Sequence, residues 1–266
     1  MYNPKREIHI YNTQNVTQQS YFVFETKLFY PRIYSATYNL EGIIFAGGYP
    51  LGSNASKTME FVNFDEHVDP ISNLPIPTRS HCLAYGNNYE THSLWIIGGH
   101  SGESEEKGRV SNQTFFYYIH ENRWYNGSPL AISREFHTCS EIRFGSQYGE
   151  TAIIVTGGRD ENGQALDSVE ILTEDYGTWI QGPKLPKPLF GHAMVYLEER
   201  SSVIVIGGND GQNASSELYE MTCRRSPFGL NCEEWITMEQ KLLEPRYGLV
   251  ATIVTDQRAL KGIKPT

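Results

Sequence analysis

Three recurring marks predict an all-β fold assembled from repeats of roughly fifty residues. An apolar strand ending in a double glycine occurs four times, at Gly47–Gly48, Gly98–Gly99, Gly157–Gly158 and Gly207–Gly208, with spacings of 51, 59 and 50 residues. A tryptophan follows three of these pairs, at Trp124, Trp179 and Trp235. About ten residues beyond each Trp comes a Pro-rich turn into a new strand. These turns read PLAISREFH, PKPLFGH and EPRYG, matched upstream by NLPIPTRSH and FYPRIYS.

Each mark has a physical role. The strand before the diglycine reads as continuous Ile and Val, as in SVIVIGG, which suits burial on both faces. The glycines admit backbone conformations and close approaches that a Cβ would block. Trp offers a large rigid surface for packing one sheet on the next. Pro ends a strand where its missing N–H does no harm.

The ordered set of diglycine, Trp and Pro-rich turn resembles the kelch repeat, whose unit forms one four-stranded antiparallel blade of a β-propeller. The resemblance extends over nearly the whole chain and implies a single domain, 1–266. Anchors that open the innermost strands fall at Arg32, Arg79, Arg134, Leu189 and Arg246, in steps of 47, 55, 55 and 57. Five anchors imply five blades: about 32–78, 79–133, 134–188 and 189–245, with a closing blade of 246–266 plus 1–31. In that last blade Leu260–Ile263 takes the second strand and Lys264–Pro265 replaces the diglycine. REIHIYN at Arg6–Asn12 matches the third strands VEILTED and SELYEMT, and Phe22 stands where the other blades have Trp. Closure of this kind removes free sheet edges.

The candidate binding residues lie around one mouth of the channel. Arg32, Arg79, Arg134 and Arg246 open four of the five innermost strands, and guanidinium groups fork onto carboxylates. The competing role for each is a structural pair with a neighbouring acid. Leu189 interrupts the ring. Loops of dissimilar sequence follow the diglycines, starting at Tyr49, His100, Arg159 and Asn209, which is how a rigid frame presents a recognition surface. Some kelch propellers bind acidic peptides through arginines on this face, so the resemblance implies a non-enzymatic scaffold for a protein or acidic peptide. The alternative is a sialic acid mutarotase type of enzyme, with Arg32, Arg79 and Arg134 around a sugar carboxylate. No cofactor and no metal is expected. His81, His137 and His192 lie on innermost strands, but His81 stands one position out of step, with Cys82 opposite the other two. DENGQALD lacks calcium-ligand spacing.

Net charge of −9 and the lack of a basic block argue against nucleic acid. No apolar run is long enough to enter a membrane as a helix. A monomer is expected. Cys223 and Cys232 flank RRSPFGLN, a hairpin tip that a bridge between them would close, whereas Cys82 and Cys139 sit in apolar runs and read as buried thiols. Asn-x-Ser/Thr sequons at Asn15, Asn54, Asn112, Asn126 and Asn213 lean toward an extracellular setting.

Overall fold

The computed structural model describes residues 7–11, 21–27, 36–39, 42–48, 55–63, 67–88, 91–102, 108–143, 151–173, 177–226, 229–251 and 253. Arg32, Tyr49, Leu260–Ile263 and Lys264–Pro265 lie outside these residues. The architecture is that of a β-propeller, with four successive four-stranded antiparallel blades. The first is built of Ala36–Asn39, Gly42–Ala46, Met59–Asn63 and Val68–Ile71. The second comprises Cys82–Asn88, Thr91–Ile97, Thr114–Tyr118 and Arg123–Asn126. Thr138–Arg143, Thr151–Thr156, Val169–Leu172 and Trp179–Gln181 make the third. The fourth has Ala193–Leu197, Ser202–Ile206, Glu217–Ser226 and Ile236–Lys241, and a hairpin through Gly229–Cys232 extends its long third strand. Glu7–Tyr11 pairs antiparallel with Tyr21–Lys27 as a separate two-stranded sheet.

The apolar strands are buried on both faces because the cores lie between blades. Thr151–Thr156 is buried throughout. Its Ile153 and Val155 join Trp95 and Ile97 of the second blade, while Ala152 and Ile154 join Val203 and Val205 of the fourth. A third core unites Ile44 and Met59 of the first blade with Leu94 and Ile96 of the second. Two tryptophans tie the third and fourth blades' outer edges to the incoming linker: the indole N–H of Trp179 donates to the Ser128 carbonyl at 2.8 Å, and that of Trp235 to the Pro183 carbonyl at 2.9 Å.

The diglycine forms the joint between neighbouring blades. A Cβ on Gly157 would lie 2.3 Å from the Leu189 carbonyl and 2.8 Å from Cε1 of His192, both in the following blade. A Cβ on Gly158 would lie 2.8 Å from the Glu135 carbonyl and 2.9 Å from the His137 Cβ of its own blade. Both glycines have positive φ, 56° and 96°. Across this joint the Gly158 N–H donates to the Leu189 carbonyl, and the same bond recurs from Gly48 to Thr78, Gly99 to Arg134 and Gly208 to Arg246.

These four bonds correct the sequence anchors. Thr78, not Arg79, is the counterpart of Arg134, Leu189 and Arg246, and the steps become 56, 55 and 57. Arg79 therefore matches Glu135, and His81 falls into step with His137 and His192. The misalignment came from anchoring on the arginine side chain, whereas the backbone carbonyl at the joint sets the register.

Cys82 and Cys139 are not thiols. They form a disulfide between the innermost strands of the second and third blades, 57 residues apart in sequence. Closing a loop of this length is worth about 4 kcal/mol of chain entropy. The expected Cys223–Cys232 bridge is present and closes the fourth blade's hairpin.

Gly157→Ala should lower unfolding free energy by about 3 kcal/mol or more, combining left-handed strain with a backbone clash. Gly163→Ala is the control, since its positive φ of 76° faces open space. It should cost only about 1 kcal/mol. Urea denaturation of the two variants, compared side by side, reads the difference.

Candidate functional site

The second, third and fourth blades and the segment following the fourth contribute matching residues to a central cavity of about 230 Å³, lined by Ser80, His81, Phe136, His137, Gly191, His192, Gly248 and Leu249. Ser80, Phe136, Gly191 and Gly248 share a left-handed conformation, with φ of 53°, 53°, 59° and 67°. Backbone bonds link them around the channel: the Phe136 N–H donates to Ser80 O, Gly191 N–H to Phe136 O, and Gly248 N–H to Gly191 O. This collar explains why two non-glycine residues tolerate a conformation that costs L-residues about 1–2 kcal/mol.

Below the collar, three imidazoles and Leu249 fill the slots left by the diglycines. The His137 ring bonds the Ile97 carbonyl through Nε2 at 3.0 Å, so Nε2 carries the proton. Nε2 of His192 lies 2.8 Å from both Thr138 Oγ1 and Thr156 Oγ1. Burial, reinforced by the Arg134 charge, lowers the pKa of His192 to about 3. Burial also holds His137 well below the ordinary range, again with Arg134 adding to the effect and the Ile97 bond opposing it. Both rings are thus neutral packing elements. Among the described residues no group of His, Cys, Asp or Glu could hold a metal ion.

The sequence-predicted arginines separate. Arg134 is fully buried and does not reach the mouth. Its guanidinium donates to Gly157 O at 2.7 Å, Ser168 O at 3.1 Å, Ser168 Oγ at 2.9 Å and Glu170 Oε1 at 2.7 Å. Glu170 in turn accepts the Ala131 N–H at 2.7 Å and so fixes the linker from the second blade. The fourth blade carries buried Leu189 and Tyr219 at the matching positions, an apolar pair in place of an ionic one. Burying an ion pair requires near-complete hydrogen bonding, so either solution fits the same space. Arg134 accordingly leaves the trio that an acidic sugar would need. Arg246 is exposed and Arg79 half-buried.

The mouth is formed instead by the residues after each anchor and after each diglycine. Arg79 pairs in register with His100, Glu135 with Arg159, and Phe190 with Asn209. Arg159 is held by Glu135, with Nη2 at 2.8 Å and Nε at 2.9 Å from Oε1. Its guanidinium carbon lies 4.7 Å from the centre of the Phe136 ring and 5.7 Å from that of Phe190, within cation–π range. Tyr247, 58% exposed, meets Phe190 edge-on at 6.2 Å. Sequence reading identified His100, Arg159 and Asn209 but missed Phe136, Phe190 and Tyr247. Their signal was the aromatic residue recurring within REFH, LFGH and RYGL.

Two substitutions should behave as expected from this packing. Arg134→Leu alone leaves the Glu170 carboxylate buried and should cost about 3 kcal/mol. Combining it with Glu170→Tyr, the fourth blade's solution, should recover most of the loss in a double-mutant cycle. For pH, unfolded His192 titrates near 6.5, and the folded group near 3. The unfolded chain therefore binds more protons in that window. Stability is complete above about pH 6.5 and falls as pH drops toward 3, by about 5 kcal/mol for this one group. Thermal melts of His192→Leu, which copies Leu249, should show a flatter acid limb.

No family model matches the chain. The human Kelch repeat and BTB domain-containing protein 12 is 30% identical over 130 residues, which is 45% of this chain and 19% of that protein. Alpha-scruin of Limulus polyphemus is 24% identical over 168 residues, 59% of this chain and 17% of the relative. Mouse Kelch-like protein 36 is 27% identical over 141 residues, 53% and 21% respectively. The matched region thus spans about a fifth of these relatives' length. The solved structure of YjhT superposes with a TM-score of 0.63 at 14% identity, covering 84% of this chain and 68% of its own. The diglycine joints and the repeating blade register agree with these relatives: the chain carries kelch-type repeats and is similar to kelch-repeat proteins.

Proposed function

We propose that the chain is a non-enzymatic binding scaffold whose channel mouth receives an acidic peptide segment of a protein partner. The observation that carries this reading is the fixed position of Arg159, stacked on Phe136 and Phe190 and pinned by Glu135 at the edge of the cavity. A guanidinium oriented before binding loses little freedom when it engages a carboxylate. Arg79 and exposed Arg246 extend the cationic side of the mouth, and Tyr247, His100 and Asn209 supply apolar and polar contacts beside it. With Arg134 committed to the blade interior, Arg159 takes the place the sequence had assigned to it.

We also infer a monomeric single domain of five blades, the last built from 246–266 together with 1–31. The Arg246 and Gly248 backbone bonds repeat those that begin the third and fourth blades. The separate Glu7–Tyr11 and Tyr21–Lys27 pair has the size of an outer half-blade. Leu243 and Val250, 95% and 94% exposed, are apolar surface that such a blade would cover.

A fluorescein-labelled Asp/Glu-rich peptide, compared with its Asn/Gln counterpart, tests the binding reading. The acidic probe should bind and weaken with added salt. Arg159→Ala and Arg246→Ala should each reduce its affinity at least tenfold while the thermal midpoint stays nearly unchanged. Equal binding of both probes, or indifference to both substitutions, would overturn the assignment.

A further inference from the structure

All four cysteines of the chain are in disulfides. One staples two blades from within a core, and the other locks a hairpin. Disulfides persist where the surroundings are oxidising, and that same setting is where Asn-x-Ser/Thr sequons meet the sugar-transfer machinery. Three sequons fall on described residues, and the fold treats them differently.

Asn126 ends the outermost strand of the second blade and is exposed. That strand pairs only with Thr114–Tyr118, so its other edge is open among the described residues. Asn213 is exposed at the tip of the turn after the fourth diglycine. Its main chain alone is committed there, the N–H donating to Asp210 Oδ1 at 2.7 Å and the carbonyl accepting the Asp210 N–H at 3.1 Å. Asn112 is half-buried, and its side-chain nitrogen Nδ2 donates to the Leu130 carbonyl at 2.9 Å. Leu130 itself is buried in the core between the second and third blades. A sugar on that nitrogen would have to displace the linker.

We propose that Asn126 and Asn213 carry N-linked glycans in the mature protein and that Asn112 does not. The reaction joins the Asn Nδ2 to the anomeric carbon of an oligosaccharide held on a lipid pyrophosphate. The bond from that carbon to the pyrophosphate oxygen breaks, the lipid pyrophosphate leaves with the electron pair, and one amide proton is released. Each disulfide forms when two thiols give two electrons and two protons to an oxidised exchange partner, which is reduced to its dithiol. On Asn126 the glycan shields an open strand edge from pairing with another chain. The assignment rests on the disulfides and the surface, so loss of the peptide-binding reading leaves it intact.

The test is expression of the full chain behind a secretion leader in a eukaryotic host, followed by peptide-N-glycosidase, which leaves Asp where sugar was attached. Peptide mapping should find Asp at 126 and 213 and Asn at 112. Asn126→Gln and Asn213→Gln should each remove one glycan-sized step in gel mobility, and the double variant two. Unconverted Asn126 and Asn213 in the secreted protein would overturn the proposal, as would Asn112 converted to the same extent. Thiol titration of denatured, unreduced protein from its native source supplies a second reading. No free thiol is expected, and four would remove the premise.

Discussion

The contact between a diglycine and the next blade is the constraint on which the rest of the fold depends. A backbone carbonyl and a channel side chain enter a space that any Cβ would occupy, as at Gly157 against Leu189 and His192. Because the second glycine donates its N–H to that carbonyl, the same contact also sets the register of each blade on its neighbour. Apolar burial between the blades then follows from the alternation of side chains along each strand. The collar of left-handed residues follows as well, since it begins two residues after the carbonyl that the joint holds.

The joint leaves the blades free to vary in how they fill the space beside it. Arg134 with Glu170 and Leu189 with Tyr219 are two chemistries for one volume. The ionic version needs every donor directed to an acceptor, and four hydrogen bonds from the guanidinium supply most of this. The channel position behaves similarly, with imidazoles in three blades and leucine at 249. Such exchange marks these residues as packing. The blades differ more at the mouth, where Arg79, Arg159, Phe190 and Tyr247 stand.

The two disulfides add a second scale of restraint. Cys223–Cys232 acts locally, on a hairpin whose length departs from the other blades. Cys82–Cys139 acts between blades and reinforces the seam that the diglycine joint already closes.

The repeat, the all-β class and the hairpin disulfide were legible in the sequence because each arises from residues close together in the chain. An apolar strand, its terminal glycines and a Pro-rich turn impose their geometry locally. The roles of the arginines were not legible. Arg79 and Arg134 look alike as letters, yet one lies at the mouth and the other beneath it, because register is set by a backbone bond that crosses between blades. The Cys82–Cys139 bridge, 57 residues apart, and the Arg159 stack on Phe136 and Phe190 likewise exist only once the blades are packed. Local spacing determined the blade, and long-range packing decided which of its side chains reach the channel mouth.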